Sequence, residues 1–245
     1  MVGRQTEDAD TRSLWFNGPD DGESRRRALT RGRVVAEALA VVSTDGAQAL
    51  SMRALALRLG VVPGALYRHV RSKEQLHDLI LDAVLAEVDC RTDPALPWIA
   101  QVAMLAQRLR AVLENHPGIA ALLKTRDPVS PASLALAEAF LALLHAAGLP
   151  GREAALAFRL IYDYTLGFAL ADPASPAEQR LRDSAARQQL HEFLRSLPAS
   201  SFPTLAAHGT HAWGDDRDQR FTSGLDTLLC GLQAARRSPG ASPES

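Results

Sequence analysis

Two short apolar stretches separated by Gly60 constrain this chain more than any other feature of its sequence. In the first stretch, Leu55, Ala56 and Leu59 have the spacing of a single buried helical face. Ser51 is suited to cap the start of that helix, because its hydroxyl can accept a hydrogen bond from a free backbone N–H. The glycine can end the helix in a left-handed conformation and turn the chain sharply. The pattern predicts two short helices joined by a tight turn, as in helix-turn-helix units that bind DNA.

The second apolar stretch begins at Pro63, a residue well suited to the first turn of a helix. Leu66 and Val70 are four residues apart and can anchor this helix to the first. The other side chains of the stretch are small, aromatic or basic. A helix in the major groove needs small residues for close approach, and donors for phosphates and guanines. We therefore expect DNA contacts from Arg53, Pro63, Gly64, Ala65, Tyr67, Arg68, His69 and Lys73.

The distribution of charge favours the same interpretation. The whole chain of 245 residues carries a net charge of −1, but the segment from Arg25 to Glu74 carries +7 and each flanking segment carries −4. A basic segment between acidic ones is expected where phosphates are neutralised. Because short helix-glycine-helix patterns are also common in all-α proteins, a solvated helical hairpin is the alternative.

Helices are predicted on both sides of this unit. Thr30 can cap a helix over residues 31–44. Ser72 and Gln75 have the spacing of a capping box, in which the two side chains satisfy each other's backbone N–H groups. A longer helix with a continuous apolar face is therefore predicted over residues 73–90.

The segment of residues 29–90 resembles the DNA-binding domain of the TetR (tetracycline repressor) family. The run Leu66-Tyr67-Arg68-His69-Val70, followed by Ser72-Lys73-Glu74, resembles the family pattern Leu-Tyr-x-His-Val-x-x-Lys. Residues 164–167 and 220–232 resemble parts of two helices of the tetracycline-repressor subgroup. The resemblance implies an all-α protein, in which an N-terminal three-helix helix-turn-helix DNA-binding domain precedes a larger helical domain for ligand binding and dimerisation.

Periodicity and chain breaks divide the rest of the sequence. Further helices are predicted at about 97–115, 117–123, 131–147, 152–170, 176–197 and 218–236. The predicted parts are a flexible extension at 1–28, the DNA-binding domain at 29–72, the ligand-binding and dimerisation domain at 73–237 with its connecting helix at 73–90, and a disordered tail at 238–245.

The last predicted helix carries two glycines, Gly224 and Gly231, on nearly one face. Each costs a helix roughly 1 kcal/mol relative to alanine, so the pair indicates close packing against another helix. The resemblance implies that this helix and the one that carries Gly167 form a four-helix bundle with a second subunit. We therefore expect dimer contacts from Gly167, Gly224, Leu228 and Gly231. Packing within one chain is the alternative.

The resemblance also implies where a small molecule binds. The positions that match the family's pocket are Leu105, Leu109, Arg126, Phe140, Phe158 and Tyr162. Ordinary packing is the alternative for each of them. The family histidine that binds tetracycline-bound magnesium lines up with Leu122 or Leu123, and leucine cannot coordinate a hard cation. We expect no metal and no cofactor, and an inducer such as an antibiotic or another secondary metabolite.

Three arginines precede the first predicted helix. Arg25, Arg26 and Arg27 follow an acidic, glycine-containing stretch and lie where a flexible arm can reach the adjacent minor groove. We include them among the expected DNA contacts, with a solvated linker as the alternative.

The seven histidines and many carboxylates of the sequence form no recognisable catalytic motif. His208 and His211, with Asp215 and Asp216, are the one local cluster with metal-ligand chemistry, and a solvated loop explains them better. The sequence has two cysteines, no hydrophobic signal sequence and no run of 18 apolar residues. We expect a soluble cytoplasmic protein with reduced thiols.

The sequence therefore predicts a dimeric transcriptional repressor that binds a palindromic operator and leaves it when a small molecule rearranges the larger domain. An activator or a ligand-independent regulator is the nearest alternative. A helical small-molecule-binding protein, or an enzyme without a DNA partner, is the alternative from another class.

Overall fold

Helices are the only regular secondary structure among the described residues of the computed structural model, which are 29–126, 129–170, 183–212 and 217–237. The helices are α1 (Arg31–Asp45), α2 (Met52–Leu59), α3 (Pro63–Leu66), α4 (Lys73–Leu85), α5 (Trp98–Asn115), α6 (Ile119–Thr125), α7 (Pro131–Ala146), α8 (Gly151–Leu170), α9 (Ser184–Ser196), α10 (Pro203–Ala212) and α11 (Arg217–Arg237). The predicted all-α fold is confirmed. Within these ranges, no helix has the length and apolar character needed to cross a membrane.

Side-chain caps set the starts of the first two helices, as the sequence predicts. Thr30 Oγ1 accepts a hydrogen bond from the Arg33 N–H (3.2 Å) at the start of α1. Ser51 Oγ accepts one from the Ala54 N–H (3.1 Å) at the start of α2. Gly60 ends α2 with a φ of 69°, in the left-handed region where glycine has no steric penalty. These contacts fix the boundaries of the helix-turn-helix unit.

The predicted capping box at the start of α4 is only half formed. Ser72 Oγ accepts a hydrogen bond from the Gln75 N–H (3.2 Å), as predicted. The Gln75 side chain instead accepts a hydrogen bond from the Arg71 N–H (2.6 Å), one residue before the predicted donor. The cap still works, because a free backbone donor at the helix start is satisfied in either arrangement.

The connecting helix α4 is shorter than predicted, ending at Leu85 and not near Cys90. The chain tightens after that point, since the N–H groups of Glu87 and Val88 bond to carbonyls three residues back. This tighter turn still buries Val88, the last residue of the predicted apolar face. The predicted buried face therefore extends beyond the end of α4, and the turn after the helix buries its last residue.

One continuous hydrophobic core joins the N-terminal helices to the larger bundle. Helix α4 packs against α1 on one side and against α5, α6 and α7 on the other. Leu76, Ile80 and Val84 of α4 are fully buried in this core. A single helix thus completes the packing of both predicted domains.

A buried cluster of charges attaches the start of α11 to α5. Arg110 and Arg217 are only 8% and 7% exposed. Glu114 accepts from the Arg110 Nε (2.8 Å) and lies 3.3 Å from the Arg217 Nη2, so both cations are paired. The Arg110 guanidinium also lies 4.6 Å from the centre of the Phe221 ring. Because unpaired buried charges are costly, this cluster fixes where α11 docks.

Helix α10 was not predicted, and the placement of His208 and His211 in a loop is wrong. Packing against α9 explains the helix. An added Cβ at Gly209 would lie 3.0 Å from Leu205 and 3.4 Å from Leu194 of α9, so this glycine lets the two helices approach closely. Tertiary contact and not sequence periodicity stabilises so short a helix.

Helix α9 begins later than predicted, because Asp183 is its N-cap and accepts a hydrogen bond from the Ala185 N–H (3.0 Å). Other predicted features lie outside the described residues. They are the 1–28 extension with Arg25, Arg26 and Arg27, the 176–182 part of the predicted helix, Asp215 and Asp216, and the 238–245 tail.

The two glycines of α11 have different surroundings. An added Cβ at Gly224 would overlap the hydroxyl oxygen of Tyr164 on α8, and that hydroxyl donates to the Phe221 carbonyl (2.9 Å). An added Cβ at Gly231 would meet nothing within 4 Å. Packing against Tyr164 therefore explains why residue 224 is a glycine, whereas no contact within the described chain explains the glycine at position 231.

Replacing Gly224 with alanine is expected to destabilise the protein by about 1–3 kcal/mol, because the new methyl group overlaps the Tyr164 hydroxyl. Urea unfolding of the wild-type and G224A proteins measures the difference. The control is G32A in α1, where an added Cβ meets nothing within 4 Å and stability should be unchanged or slightly higher. A G224A protein as stable as the wild type would contradict the described packing.

Candidate nucleic-acid interface

Apolar contacts hold the helix-turn-helix unit together. Leu55 of α2 and Leu66 of α3 are fully buried, and Val70 is buried beside them. Arg31 Nε donates to the His69 carbonyl (3.2 Å) and so attaches the end of the unit to α1. The predicted anchors Leu66 and Val70 are confirmed. The other side chains of the second stretch form the surface of the unit.

The second helix of the unit is shorter than predicted. Helix α3 is one turn that ends at Leu66, and Tyr67 to His69 follow as a turn. The N–H groups of His69 and Val70 both bond to the Leu66 carbonyl, at 2.8 Å and 3.0 Å, which tightens the chain there. Val70 is still buried, so the tight turn serves the same packing as the predicted helix.

All predicted DNA contacts within the described chain lie on this unit or at the adjoining start of α4, with different degrees of exposure. The exposed residues are Arg53, Pro63, Gly64, Tyr67 and Arg68. The half-buried residues are Ala65, His69 and Lys73. The exposed set combines two cations and a phenol with a proline ring and a glycine that has no side chain.

Ion pairs within the fold neutralise only part of the positive charge of the helix-turn-helix unit. Arg58 is bound to Glu37 of α1 (2.6 Å), so its charge is used within the fold. Among the described residues, no salt bridge involves Arg53, Arg68 or Lys73. These cations are available for phosphates or base edges.

A groove of about 510 Å³ lies between α2 and the start of α3. Its lining consists of Ser51, Arg53, Ala54, Ala56, Leu57, Val61 and Pro63. Beside it, an added Cβ at Gly64 would meet nothing within 4 Å, so the protein's own packing does not require a glycine there. The open space suits the close approach of another molecule.

Sequence analysis missed two exposed apolar residues at this surface. Leu57 is 83% exposed and Val62 is 72% exposed. A signal was present, because the buried face defined by Leu55, Ala56 and Leu59 leaves Leu57 on the opposite side of α2.

A second cavity, of about 490 Å³, lies between the end of α6 and α8. Its lining consists of Leu123, Lys124, Thr125, Arg126, Arg159, Tyr162, Asp163, Leu166, Gly167 and Leu170. Two of the expected ligand contacts, Arg126 and Tyr162, are among these residues. Phe158 and Phe140 continue inwards from Tyr162, with ring centres 5.9 Å and 5.7 Å apart in turn. Leu105 and Leu109 lie in the core on α5.

Helix α4 and the turn that follows it hold the larger domain through three carboxylates, two on the helix and one in the turn. Each bonds to a different element, namely the end of α6, the start of α7 and the chain after α5. The contacts are Arg126 to Asp78, the Ala132 N–H to Asp82, and His116 to Glu87, each at 2.9 Å. Next to Asp78, burial lowers the pKa of His77, with Lys73 and Arg126 adding to the effect, so this side chain is neutral near pH 7. Arg126 therefore both lines the cavity and binds Asp78 of α4.

The DNA-binding domain also touches α6 directly. Gly118, with a φ of 84°, immediately precedes α6, and an added Cβ there would lie 2.9 Å from the Val42 carbonyl oxygen of α1. Only glycine fits both the conformation and the space. A backbone contact thus links α6 to α1 independently of α4.

Helix α8 presents an open face beside α11. Leu156, Leu160, Asp163 and Gly167 are exposed and have the spacing of one helical face. An added Cβ at Gly167 would meet nothing within 4 Å, as at Gly231 of α11. Leu228, the fourth predicted dimer residue, is half-buried.

Two parts of the chain match known families. Residues 34–79 match the family described as bacterial regulatory proteins, tetR family. Residues 92–236 match the tetracyclin repressor-like C-terminal domain.

Several known proteins are similar along most of their length. An HTH-type transcriptional regulator of Saccharopolyspora erythraea is 34% identical, over 91% of this chain and 92% of the relative. The HTH-type transcriptional repressor DrrR1 of Streptomyces coeruleorubidus is 30% identical, over 93% of this chain and 87% of the relative. The crystal structure of the TetR family protein ActR of Streptomyces coelicolor with actinorhodin is 33% identical, with a TM-score of 0.75, over 86% of this chain and 100% of ActR. With both of its parts matched in this way, the chain belongs to the TetR family of transcriptional regulators.

Proposed function

We propose that this regulator is a dimeric repressor, which binds a palindromic operator and releases it when a small molecule binds the larger domain. The observation that carries the proposal is the exposed pair Arg53 and Arg68, which form no salt bridge within the described chain; Arg53 lines an open groove, and Arg68 lies in the turn after α3. Binding of a palindromic duplex from the DNA upstream of its own gene, weakening as salt rises, tests the proposal.

The chemistry of the helix-turn-helix surface supports DNA as the partner. A guanidinium can bind the edge of a guanine through two hydrogen bonds or bind a phosphate. The Tyr67 hydroxyl can donate to a phosphate oxygen. Gly64 allows the backbone at the start of α3 to approach the duplex, because no side chain stands there.

Dimerisation through α8 and α11 supports the palindromic operator. Gly167 and Gly231 are open in the single chain, where a helical glycine costs about 1 kcal/mol relative to alanine. Exposed Leu156 and Leu160 continue the same face of α8. A second copy packed on this face would bury the leucines and give the glycines a partner helix, and two-fold symmetry would present two DNA-binding domains.

The cavity between α6 and α8 supports a ligand with an aromatic body. Tyr162 leads from its lining into the Phe158 and Phe140 rings. Lys124, Arg126 and Arg159 line the cavity. Arg159 is paired with Asp163 and Arg126 with Asp78, so one positive charge is left over, which favours an acidic group on the ligand. The relative ActR has been crystallised with actinorhodin, and for this chain we propose a secondary metabolite as the ligand.

Magnesium-tetracycline is a poor candidate for this ligand. Leu122 and Leu123, the positions that match the magnesium-binding histidine, are both buried, and Leu123 lines the cavity. Leucine offers no oxygen or nitrogen to a hard cation. The proposed inducer therefore binds without a metal.

The shared Arg126 supplies a route for release. A ligand group that binds Arg126 changes its contact with Asp78 on α4, the helix that completes the core of the DNA-binding domain. Ligand binding can shift the orientation of that domain only as far as the ligand prefers one conformation over the other. In the proposed mechanism the protein only binds DNA and the ligand, and it catalyses no reaction.

Replacing Arg68 with alanine should weaken operator binding by about 1–3 kcal/mol if the side chain binds a guanine, because two hydrogen bonds to the base are lost. Loss that is equal for all duplexes would assign Arg68 to a phosphate. Fluorescence anisotropy with labelled duplexes at several salt concentrations distinguishes the two. R195A, at an exposed arginine of α9, is the control. Unchanged binding by R68A would exclude Arg68 from the interface.

Replacing Gly231 with leucine should leave the single chain folded but prevent dimerisation, because an added Cβ there meets nothing within 4 Å in its own chain and the leucine would project into the proposed interface. Sedimentation and circular dichroism measure the two properties. The control is G151L, at an equally open glycine at the start of α8. A dimeric G231L protein, or a monomeric wild type, would refute this dimer interface.

The D78N and R126Q variants should each change operator affinity by a factor of about two to five, since they break the same partly exposed salt bridge. The double variant should change it no further than one single variant does. Anisotropy titrations of the four proteins form the cycle, and E153Q, at an exposed carboxylate of α8, is the control. Additive effects would show that the pair does not couple α6 to the DNA-binding domain.

A further inference from the structure

The start of α3 carries no side chain that can form a hydrogen bond. Val62, Pro63, Gly64 and Ala65 follow one another there, and Val62 makes no side-chain cap. On α2, Ala54 and Leu57 line the groove opposite Pro63. We refer to Ala54, Leu57, Val62 and Pro63 as the apolar edge.

The exposure of this edge is unusual for the chain. Leu57 and Val62 are 83% and 72% exposed. With Tyr67 they make three of the nine large apolar side chains that are exposed in the described ranges, and they lie within eleven residues. Exposed apolar side chains that cluster, as these do, mark a surface that contacts another molecule.

The cations beside the apolar edge identify that molecule by its chemistry. Arg53 lines the same groove as Leu57, and Arg68 follows α3 closely. A molecule that fits this surface therefore carries anionic groups on either side of an apolar group. Duplex DNA meets this description in its major groove, where phosphates flank the base edges and thymine alone presents a methyl group. Aliphatic side chains contact that methyl group and discriminate against cytosine.

We infer that Val62 and Leu57 determine operator specificity by contacting thymine methyl groups. The inference rests on the proposed DNA-binding function and adds which base is recognised. Arg53 and Arg68 supply the hydrogen bonds to phosphates or guanines, while the apolar edge supplies the contact that needs no hydrogen bond. Each half-site of the operator therefore contains a thymine at a fixed position next to the bases or phosphates bound by arginine.

Deoxyuridine provides the test, because it differs from thymidine only by the methyl group. Full-length wild-type protein first selects its preferred duplex from a random library. That duplex is then synthesised with deoxyuridine at the enriched thymine positions. Loss of one methyl contact is expected to weaken binding about fourfold, and loss of two in a symmetric site about fifteenfold.

Variants assign the effect to the two side chains. V62A or L57A should bind the thymine and uracil duplexes with nearly equal affinity. V129A and L134A are matched controls, because Val129 and Leu134 are 85% and 57% exposed outside the helix-turn-helix unit. Both controls should keep the wild-type preference for thymine.

Three results would overturn the inference. The wild type would bind the thymine and uracil duplexes equally, or both V62A and L57A would keep the full preference for thymine, as they would if the edge contacted another protein. Failure of the library to yield any enriched sequence would refute the DNA-binding function itself, which the first two results leave intact.

Discussion

Burial of the apolar face of α4 is the interaction on which the rest of the structure depends. Leu76, Ile80 and Val84 are fully buried, and each such side chain stabilises the fold by about 1.5–3 kcal/mol. They pack between α1 and the helices of the larger domain, so neither domain has a complete core without α4. A change in the position of α4 is therefore a change in the position of the DNA-binding domain. Asp78 and Asp82 of α4, with Glu87 in the turn just after it, make that position depend on the state of α6, α7 and the chain between α5 and α6.

Local chemistry predicted much of the fold. Thr30, Ser51 and Gly60 act over one helical turn, and their neighbours in sequence suffice to identify them as caps. Features decided by distant contacts were missed. Helix α10 depends on the packing of Gly209 against Leu194, and a tight turn after α4, not a longer helix, buries Val88.

In the candidate site, too, local features were predicted from the sequence and features that depend on distant contacts were not. Basic and small residues of the helix-turn-helix unit were identified from the sequence; the helical period also placed Leu57 outside, whereas Val62 became evident only from its exposure. Gly224 and Gly231 are equivalent in a helical repeat, yet one packs on Tyr164 and the other is open. The pairing of Arg126 with Asp78 joins residues that are 48 positions apart, and no local pattern in the sequence indicates such a pair. The residues of the proposed ligand cavity were predicted from family resemblance alone, because such residue types also occur in an ordinary core.

The contact between Gly118 and Val42 restricts how this protein can be recombined with its relatives. A hybrid that joins this DNA-binding domain to the sensor of another family member places a foreign residue 118 against the Val42 carbonyl. Any side chain there would be strained by the left-handed backbone and would also collide with α1. Functional chimeras must therefore inherit α1 and the glycine before α6 as a matched pair, although the two are separated by most of the connecting region.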